Sequence, residues 1–276
     1  MLYKIALFSL LYLISDEVVA FRTQSVAVKG KLLCGGVPAR DVHVKLYDQD
    51  DGPDPDDMYD QMLTNDDGEF SLSGSGVELT PIDPEIRIYH SCNNHGNPCP
   101  REWVIQIPNK YIYSGPKAAK AMDVGTLNLE MIYQTVILLI ISQIVYSIDI
   151  AEQHTGKQSY KVRGYLICGD KPATDVEVKL VDDDFGPDPD DVLASKHTDE
   201  DGYFELEGFT TELTTIDPHL KIYHDCNDGI IPCQRRWAFE LPNHYITSGP
   251  RPEKVLDIGT WNLEMYMPGE SHDCVH

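Results

Sequence analysis

The sequence has no glycine-rich phosphate loop, no dinucleotide fingerprint, no Gly-x-Ser-x-Gly nucleophile elbow and no Asn-x-Ser/Thr acceptor. Nucleotide-dependent chemistry, an elbow-type serine nucleophile and N-glycosylation therefore lack the residues they need. Basic residues are scarce, 22 against 45 acidic, giving a formal charge of −23. So acidic a surface repels nucleic acid and anionic lipid, and favours basic proteins, cations or simple solubility. Sustained helical periodicity is also missing, which argues against a bundle. The 42% of hydrophobic residues is still enough for a packed core.

The chain starts like a secretory signal. Lys4 supplies a positive charge, Ile5 to Ile14 is apolar, and Val18-Val19-Ala20 offers a cleavage site, so residues 1–20 are expected to be removed. Beyond Ala20 the chain repeats itself without gaps. Val28-Lys29-Gly30 returns as Val162-Arg163-Gly164, displaced by 134 positions, and Cys34, Cys92 and Cys99 return at the same displacement as Cys168, Cys226 and Cys233. Gly52 to Asp57 matches Gly186 to Asp191, Ile82-Asp83-Pro84 matches Ile216-Asp217-Pro218, and Asp123 to Glu130 matches Asp257 to Glu264. Two units of about a hundred residues are the size of whole domains and too long for turns of a solenoid. The expected division is a domain over 21–130, a hydrophobic segment over 131–150 and a second domain over 151–276.

Within each copy apolar residues alternate, as in Val42-His43-Val44-Lys45-Leu46 and Trp103-Val104-Ile105-Gln106-Ile107. Period two with Pro and Gly at intervals predicts half-buried strands, and Asp67-Gly68 and Asp201-Gly202 predict hairpin turns. The fold class expected is all-β, two tandem β-sandwiches of about seven strands each. One short helical turn is expected near Pro116 to Met122.

The ordered motifs carry a resemblance. Val-x-Gly-x-Leu-x-Cys, the Pro-Asp-Asp loop, Thr-x-x-Asp-Gly-x-Phe, Ile-Asp-Pro, Ile-Tyr-His-x-Cys-Asn, Pro-Cys and Gly-Thr-x-Asn-Leu-Glu occur in this order twice. Residues 26–130 and 160–274 thus resemble the nematode transthyretin-like family. The resemblance implies prealbumin-like sandwiches, secretion and no established shared enzymatic activity.

Met131 to Ile148 carries no charge. It reads as a second signal-like segment, a buried linker or a membrane span. The span over 131–148 is disfavoured, because it would leave one cysteine-bearing domain in the reducing cytosol. The favoured reading is a fusion of two adjacent secreted proteins.

Seven cysteines leave one over. Spacing favours Cys92–Cys99 and Cys226–Cys233 as short staples, with Cys168–Cys274 tying the first strand to the tail and Cys34 free. Four cysteines allow three pairings, so the choice stays open. The tail Gly269-Glu270-Ser271-His272-Asp273-Cys274 matches the ending of family members; the first copy stops at Glu130, where such a tail would begin.

Candidate sites divide by chemistry. Asp48, Asp50, Asp54, Asp56 and Asp57 in one copy, and Asp182, Asp184, Asp188, Asp190 and Asp191 in the other, offer the hard oxygens that Ca²⁺ takes. The alternative is a solvated turn whose aspartates cap backbone amides. His90 and His224 precede cysteines by two residues and read as half-buried strand histidines bonded to backbone rather than zinc ligands. Trp103 and Trp237 read as core. Tyr111, Ile112, Tyr245 and Ile246 lie in partly apolar loops and are the candidate binding contacts. No cofactor is implied. The expected function is that of a secreted extracellular binding protein with an unknown extracellular ligand or protein partner. The rival is a 5-hydroxyisourate-hydrolase-like enzyme, disfavoured because the Tyr-Arg-Gly-Ser ending of those enzymes is absent here.

Overall fold

The computed structural model describes residues 22–50, 55–133, 155–183, 191–267 and 269–274. The expected signal, most of the hydrophobic segment, and Asp54, Asp184, Asp188 and Asp190 lie outside the described residues.

In the first copy the principal strands are β1 (Arg22–Cys34), β2 (His43–Asp48), β3 (Asp57–Leu63), β4 (Glu69–Glu78), β5 (Pro84–His90), β6 (Arg101–Gln106) and β7 (Met122–Asn128). A two-residue strand, β8 (Ile132–Tyr133), comes next. The second copy repeats the seven as β9 (Gly156–Cys168), β10 (Glu177–Asp182), β11 (Asp191–His197), β12 (Tyr203–Glu212), β13 (Pro218–His224), β14 (Gln234–Glu240) and β15 (Leu256–Asn262), and adds β16 (Ser271–Asp273). One sheet of each sandwich runs β4–β1–β7 or β12–β9–β15, and the other β3–β2–β5–β6 or β11–β10–β13–β14. Pairing is antiparallel except between β1 and β7 and between β9 and β15.

Alternation sets the inner faces. In β2, Val44, Leu46 and Asp48 point inward, and in β5 Ile86, Ile88 and His90 do. The Asp-Gly turns form with positive φ at Gly68 (76°) and Gly202 (75°), the backbone that glycine accepts without strain. They do not close simple hairpins, since the turn hands the chain from one sheet (β3) to the other (β4). The short helical turns fall at Asn109–Tyr111 and Asn243–Tyr245, earlier than expected.

The disulfide expectation is overturned. Cys34 pairs with Cys92 and Cys168 with Cys226, at Cα–Cα distances of 5.7 and 5.8 Å, and Cys233 pairs with Cys274. Cys99, not Cys34, is free and exposed. The reason is direction. Cys92 turns inward, 9% exposed, toward the end of β1, while Cys99 lies outside beyond a turn, so nearness in sequence does not become the Cα separation a bridge needs. Each Cys34–Cys92-type bridge ties the two sheets of its sandwich across a separation of 58 residues, worth about 4 kcal/mol on the chain-entropy view.

The copies do not hang apart on a linker. β7 pairs antiparallel with β15, so the β1 and β9 sheets fuse into one ten-stranded sheet. Met131, expected at the start of the hydrophobic segment, is fully buried, and Ile132–Tyr133 pairs with β14 of the second copy. The folded body of the first copy therefore extends through residue 133.

Candidate functional site

The junction between the copies is built by the repeated motif Asp123 to Glu130 and Asp257 to Glu264, identical at six of its eight positions. Its contacts come in reciprocal pairs about a pseudo-two-fold axis. Thr126 faces Thr260 at the centre; Gly125 faces Trp261 on one side and Gly259 faces Leu127 on the other. Asn128 Nδ2 donates to the Asp257 carbonyl at 2.8 Å, and Asn262 Nδ2 donates to the Asp123 carbonyl at 2.8 Å. Such self-complementarity is the signature of an isologous interface, here formed within one chain.

Glycine is required at two places. Gly125 and Gly259 have φ of 90° and 85°, and a Cβ on either would lie 2.1 or 2.2 Å from the carbonyl oxygen of Thr260 or Thr126. No side chain fits while the strands pair.

Two carboxylates seal the ends of the seam. Glu264 accepts from Tyr111 Oη at 2.5 Å and is joined by Lys110 Nζ. Glu130 accepts from Tyr245 Oη at 2.9 Å, with His244 Nε2 3.4 Å away. Burial, reinforced by these hydrogen bonds, pushes both phenols well above their usual range, so each remains a donor. Of the expected binding contacts Tyr111, Ile112, Tyr245 and Ile246, the two tyrosines are thus bonded across the join. Tyr111 and Ile246 are buried, and Ile112 and Tyr245 pack half-buried against the core. No pattern within one copy signals these pairs, whose members lie 153 and 115 residues apart.

Trp103 and Trp237 are core residues, as read from sequence, and Trp261 joins them across the seam with ring centroids 5.6 and 6.2 Å away. His90 and His224 are more deeply buried than expected and are not bonded to backbone. Neither ring nitrogen of either residue has a hydrogen-bond partner, and each ring meets Trp103 or Trp237 edge-on at 5.8 or 5.1 Å. Burial lowers both to a pKa of about 3, helped by Arg101 in one case and Arg235 in the other. They are neutral at physiological pH.

In the acidic loops, Asp48 accepts from Tyr59 Oη and the Asp83 amide, both at 2.7 Å, and Asp182 accepts from the Asp217 amide at 2.7 Å. Asp56 is held by Arg87 and accepts from the Asp50 amide, and the Arg87 hydrogen bond keeps its carboxyl below the usual range. Asp57 and Asp191 open the paired edges β3 and β11 and are exposed. Among the described residues, one group of three metal-capable side chains converges: Cys168, Cys226 and Glu264. Its sulfurs are spent in a disulfide, so it offers no thiolate.

A groove of about 700 Å³ crosses the seam on the sheet face, lined by Lys29, Lys31, Met62 and Phe70 from the first copy and by Ile167 and Thr260 from the second. At the matching surface of the second copy, the rings of Tyr165 and Tyr203 pack at a tilt with centroids 5.1 Å apart, and Arg163 pairs with Asp257 at 3.0 Å.

A family model described as the transthyretin-like family matches residues 29–108 and again 163–242, more than half of the chain. The chain belongs to the transthyretin-like family. Transthyretin-like protein 33 of Caenorhabditis elegans is 48% identical over 139 residues, covering 50% of this chain and 97% of that protein. Transthyretin-like protein 5 of the same organism is 51% identical over 119 residues, 43% of this chain and 86% of its own length. These relatives are thus matched nearly end to end by half of this transthyretin-like chain. Likeness to solved structures is slight: a shaft pilin SpaA from Lactobacillus rhamnosus GG aligns over 87% of this chain and 98% of its own at 11% identity and a TM-score of 0.20.

Proposed function

We propose that this transthyretin-like chain is a secreted, extracellular binding protein without enzymatic activity, and that the duplication presents one preassembled two-fold unit to its partner. The observation that carries the reading is the groove across the seam, which needs residues of both copies. It is open along its length, so it suits an extended peptide or a protein surface better than an enclosed small molecule, which needs most of its area buried. Lys29, paired with Asp123 at 3.1 Å, and Lys31 bring basic groups to its rim on an acidic protein. Three disulfides are compatible with an oxidising compartment. The conspicuous acids, tyrosines and histidines of the seam and core are engaged in packing and hydrogen bonds, which supports binding rather than catalysis.

Two measurements test it. Expressed with its own first twenty residues in animal cells, the protein should appear in the medium, beginning near Phe21 with three disulfides by intact mass; retention in the cytosol with free thiols overturns secretion. Extracellular proteins crosslinked through a photoreactive group at Ser71, which also lines the groove, should be lost in a Lys29→Glu/Lys31→Glu variant. Capture unchanged by charge reversal would remove the groove as the binding surface.

A further inference from the structure

The second copy holds its own tail through three contacts. The Arg235 guanidinium, 1% exposed, donates to the carbonyls of Cys226, Leu263 and Met265 at 2.8, 2.9 and 2.6 Å. Its remaining face clasps the Glu270 carboxylate, Nε to Oε1 at 2.9 Å and Nη2 to Oε2 at 2.7 Å, and Trp237 Nε1 donates to the same carboxylate at 2.9 Å. Beyond Glu270, β16 pairs with the outer edge of β14, and Cys274 reaches Cys233.

The first copy has the receiving half of each contact. Arg101 is fixed by the equivalent carbonyls, Cys92 at 3.1 Å, Leu129 at 3.3 Å and Met131 at 2.7 Å. Trp103 occupies the place of Trp237. No carboxylate bonds to Arg101 among the described residues; the acid whose charge it feels, Glu240, makes no hydrogen bond to it. The β6 edge at Arg101–Trp103 has no strand beside it among the described residues, and Cys99, the counterpart of Cys233, is free and exposed. In sequence, the residue displaced by 134 from Glu270 is Val136, and that displaced from Cys274 is Ile140. The lack of one glutamate-to-cysteine tail accounts for all three differences.

We propose that the first copy is a receptor for the tail of another polypeptide: an extended peptide with a glutamate four residues ahead of a cysteine. The glutamate seats on Arg101 and Trp103, the residues after it add a strand to the β6 edge, and the cysteine lies against Cys99. Strand addition supplies main-chain bonds of low selectivity, and the buried bidentate arginine–carboxylate pair supplies the selectivity. Pro100 stands where the second copy has Gln234, so the ladder loses one donor at its end. The site is separate from the sheet-face groove and does not depend on the function proposed for it.

When the peptide's cysteine arrives as a mixed disulfide with a small thiol, the Cys99 thiolate attacks the peptide sulfur. The Cys99–peptide S–S bond forms, the old S–S bond breaks, and the small thiol leaves as thiolate with no net oxidation. The probe is a synthetic peptide of sequence Met-Pro-Gly-Glu-Ser-His-Asp-Cys-Val-His, the chain's own 267–276, with its cysteine capped by 5-thio-2-nitrobenzoate. Intact secreted protein should release one equivalent of the yellow thiolate and gain one peptide mass, and Cys99→Ser should gain none. A peptide with Gln for Glu should react at least tenfold more slowly, as should the original peptide on Trp103→Phe, which keeps the ring packing and removes the donor. Equal rates for the Glu, Gln and scrambled peptides would mean that Cys99 is merely an exposed thiol and would overturn the proposal. So would failure of a Cys→Ser peptide to bind wild-type protein at millimolar concentration.

Discussion

The two copies share one fold but close it differently. The second copy ends in a tail that fills its arginine clasp, pairs its edge strand and consumes its outer cysteine. In both copies the chain first crosses onto the neighbouring sandwich, Ile132 opposite Glu240 and Tyr266 opposite Gln106, and in the first copy no glutamate or cysteine follows at the positions of Glu270 and Cys274. A second asymmetry lies at the axis, where Trp261 of one copy stands at the position of Leu127 in the other. The strand pairing and the reciprocal asparagine bonds of the seam are thus common to both copies, whereas the axis side chain and the closing tail differ.

The largest expected effect tests the shared part. Gly125→Val and Gly259→Val each force a β-branched residue to positive φ and drive a carbon into a carbonyl oxygen. Each should cost more than about 3 kcal/mol, the sum of backbone strain and overpacking, and should split a single thermal transition into two. Equal costs would confirm the two-fold equivalence; a large cost at only one site would break it. Trp261→Leu, which copies Leu127, comes next. It removes the ring that bridges Trp103 and Trp237 and should cost about 2–3 kcal/mol by cavity formation in urea unfolding. The reciprocal Leu127→Trp should also destabilise, through crowding.

The sheets were legible in the sequence because alternation such as Val44, Leu46 in β2 and Ile86, Ile88 in β5 reports directly which face is buried. The repeat revealed two folding units, and Trp103 and Trp237 were readable as core from strand position. The seam was not legible. Gly125-Thr126-Leu127-Asn128-Leu129-Glu130 has the same letters whether it ends a domain or meets its own repeat, since an isologous contact leaves no pattern within one copy. Tyr111 was misplaced for the same reason: its partner Glu264 lies 153 residues away. The disulfides failed as spacing always can, because Cys92 and Cys99 are near in sequence but face opposite ways.

Acid should affect both copies equally. His90 and His224 are neutral in the folded protein down to about pH 3, whereas unfolded histidine binds a proton near pH 6.5. The unfolded chain thus takes up more protons as pH falls. The stability these rings contribute is complete above about pH 6.5 and is lost progressively toward pH 3. By pH 5 the loss is about 2 kcal/mol per histidine. Urea midpoints measured from pH 7.5 to 5 should fall accordingly, and less steeply in His90→Phe or His224→Phe. Two equal reductions would sharpen the equivalence of the buried halves; a slope carried by one histidine alone would break it.

The smallest effect concerns the seam's two locks, which differ by one residue. Glu264 is joined by a lysine, Lys110, and Glu130 faces a histidine, His244, at the equivalent position. Lysine holds its charge throughout the neutral range, whereas histidine contributes one only when protonated. Replacing either carboxylate with glutamine leaves a tyrosine hydroxyl with a neutral acceptor, a loss of about 1–2 kcal/mol in both cases. Glu264→Gln should lose slightly more, because it also discards the ion pair with Lys110. That increment is below about 1 kcal/mol, since Lys110 is partly exposed and the pair is screened. Raising the salt to 1 M screens the Lys110 pair and should narrow the difference. If the difference instead persists undiminished in 1 M salt, the two locks differ for a reason other than their cations.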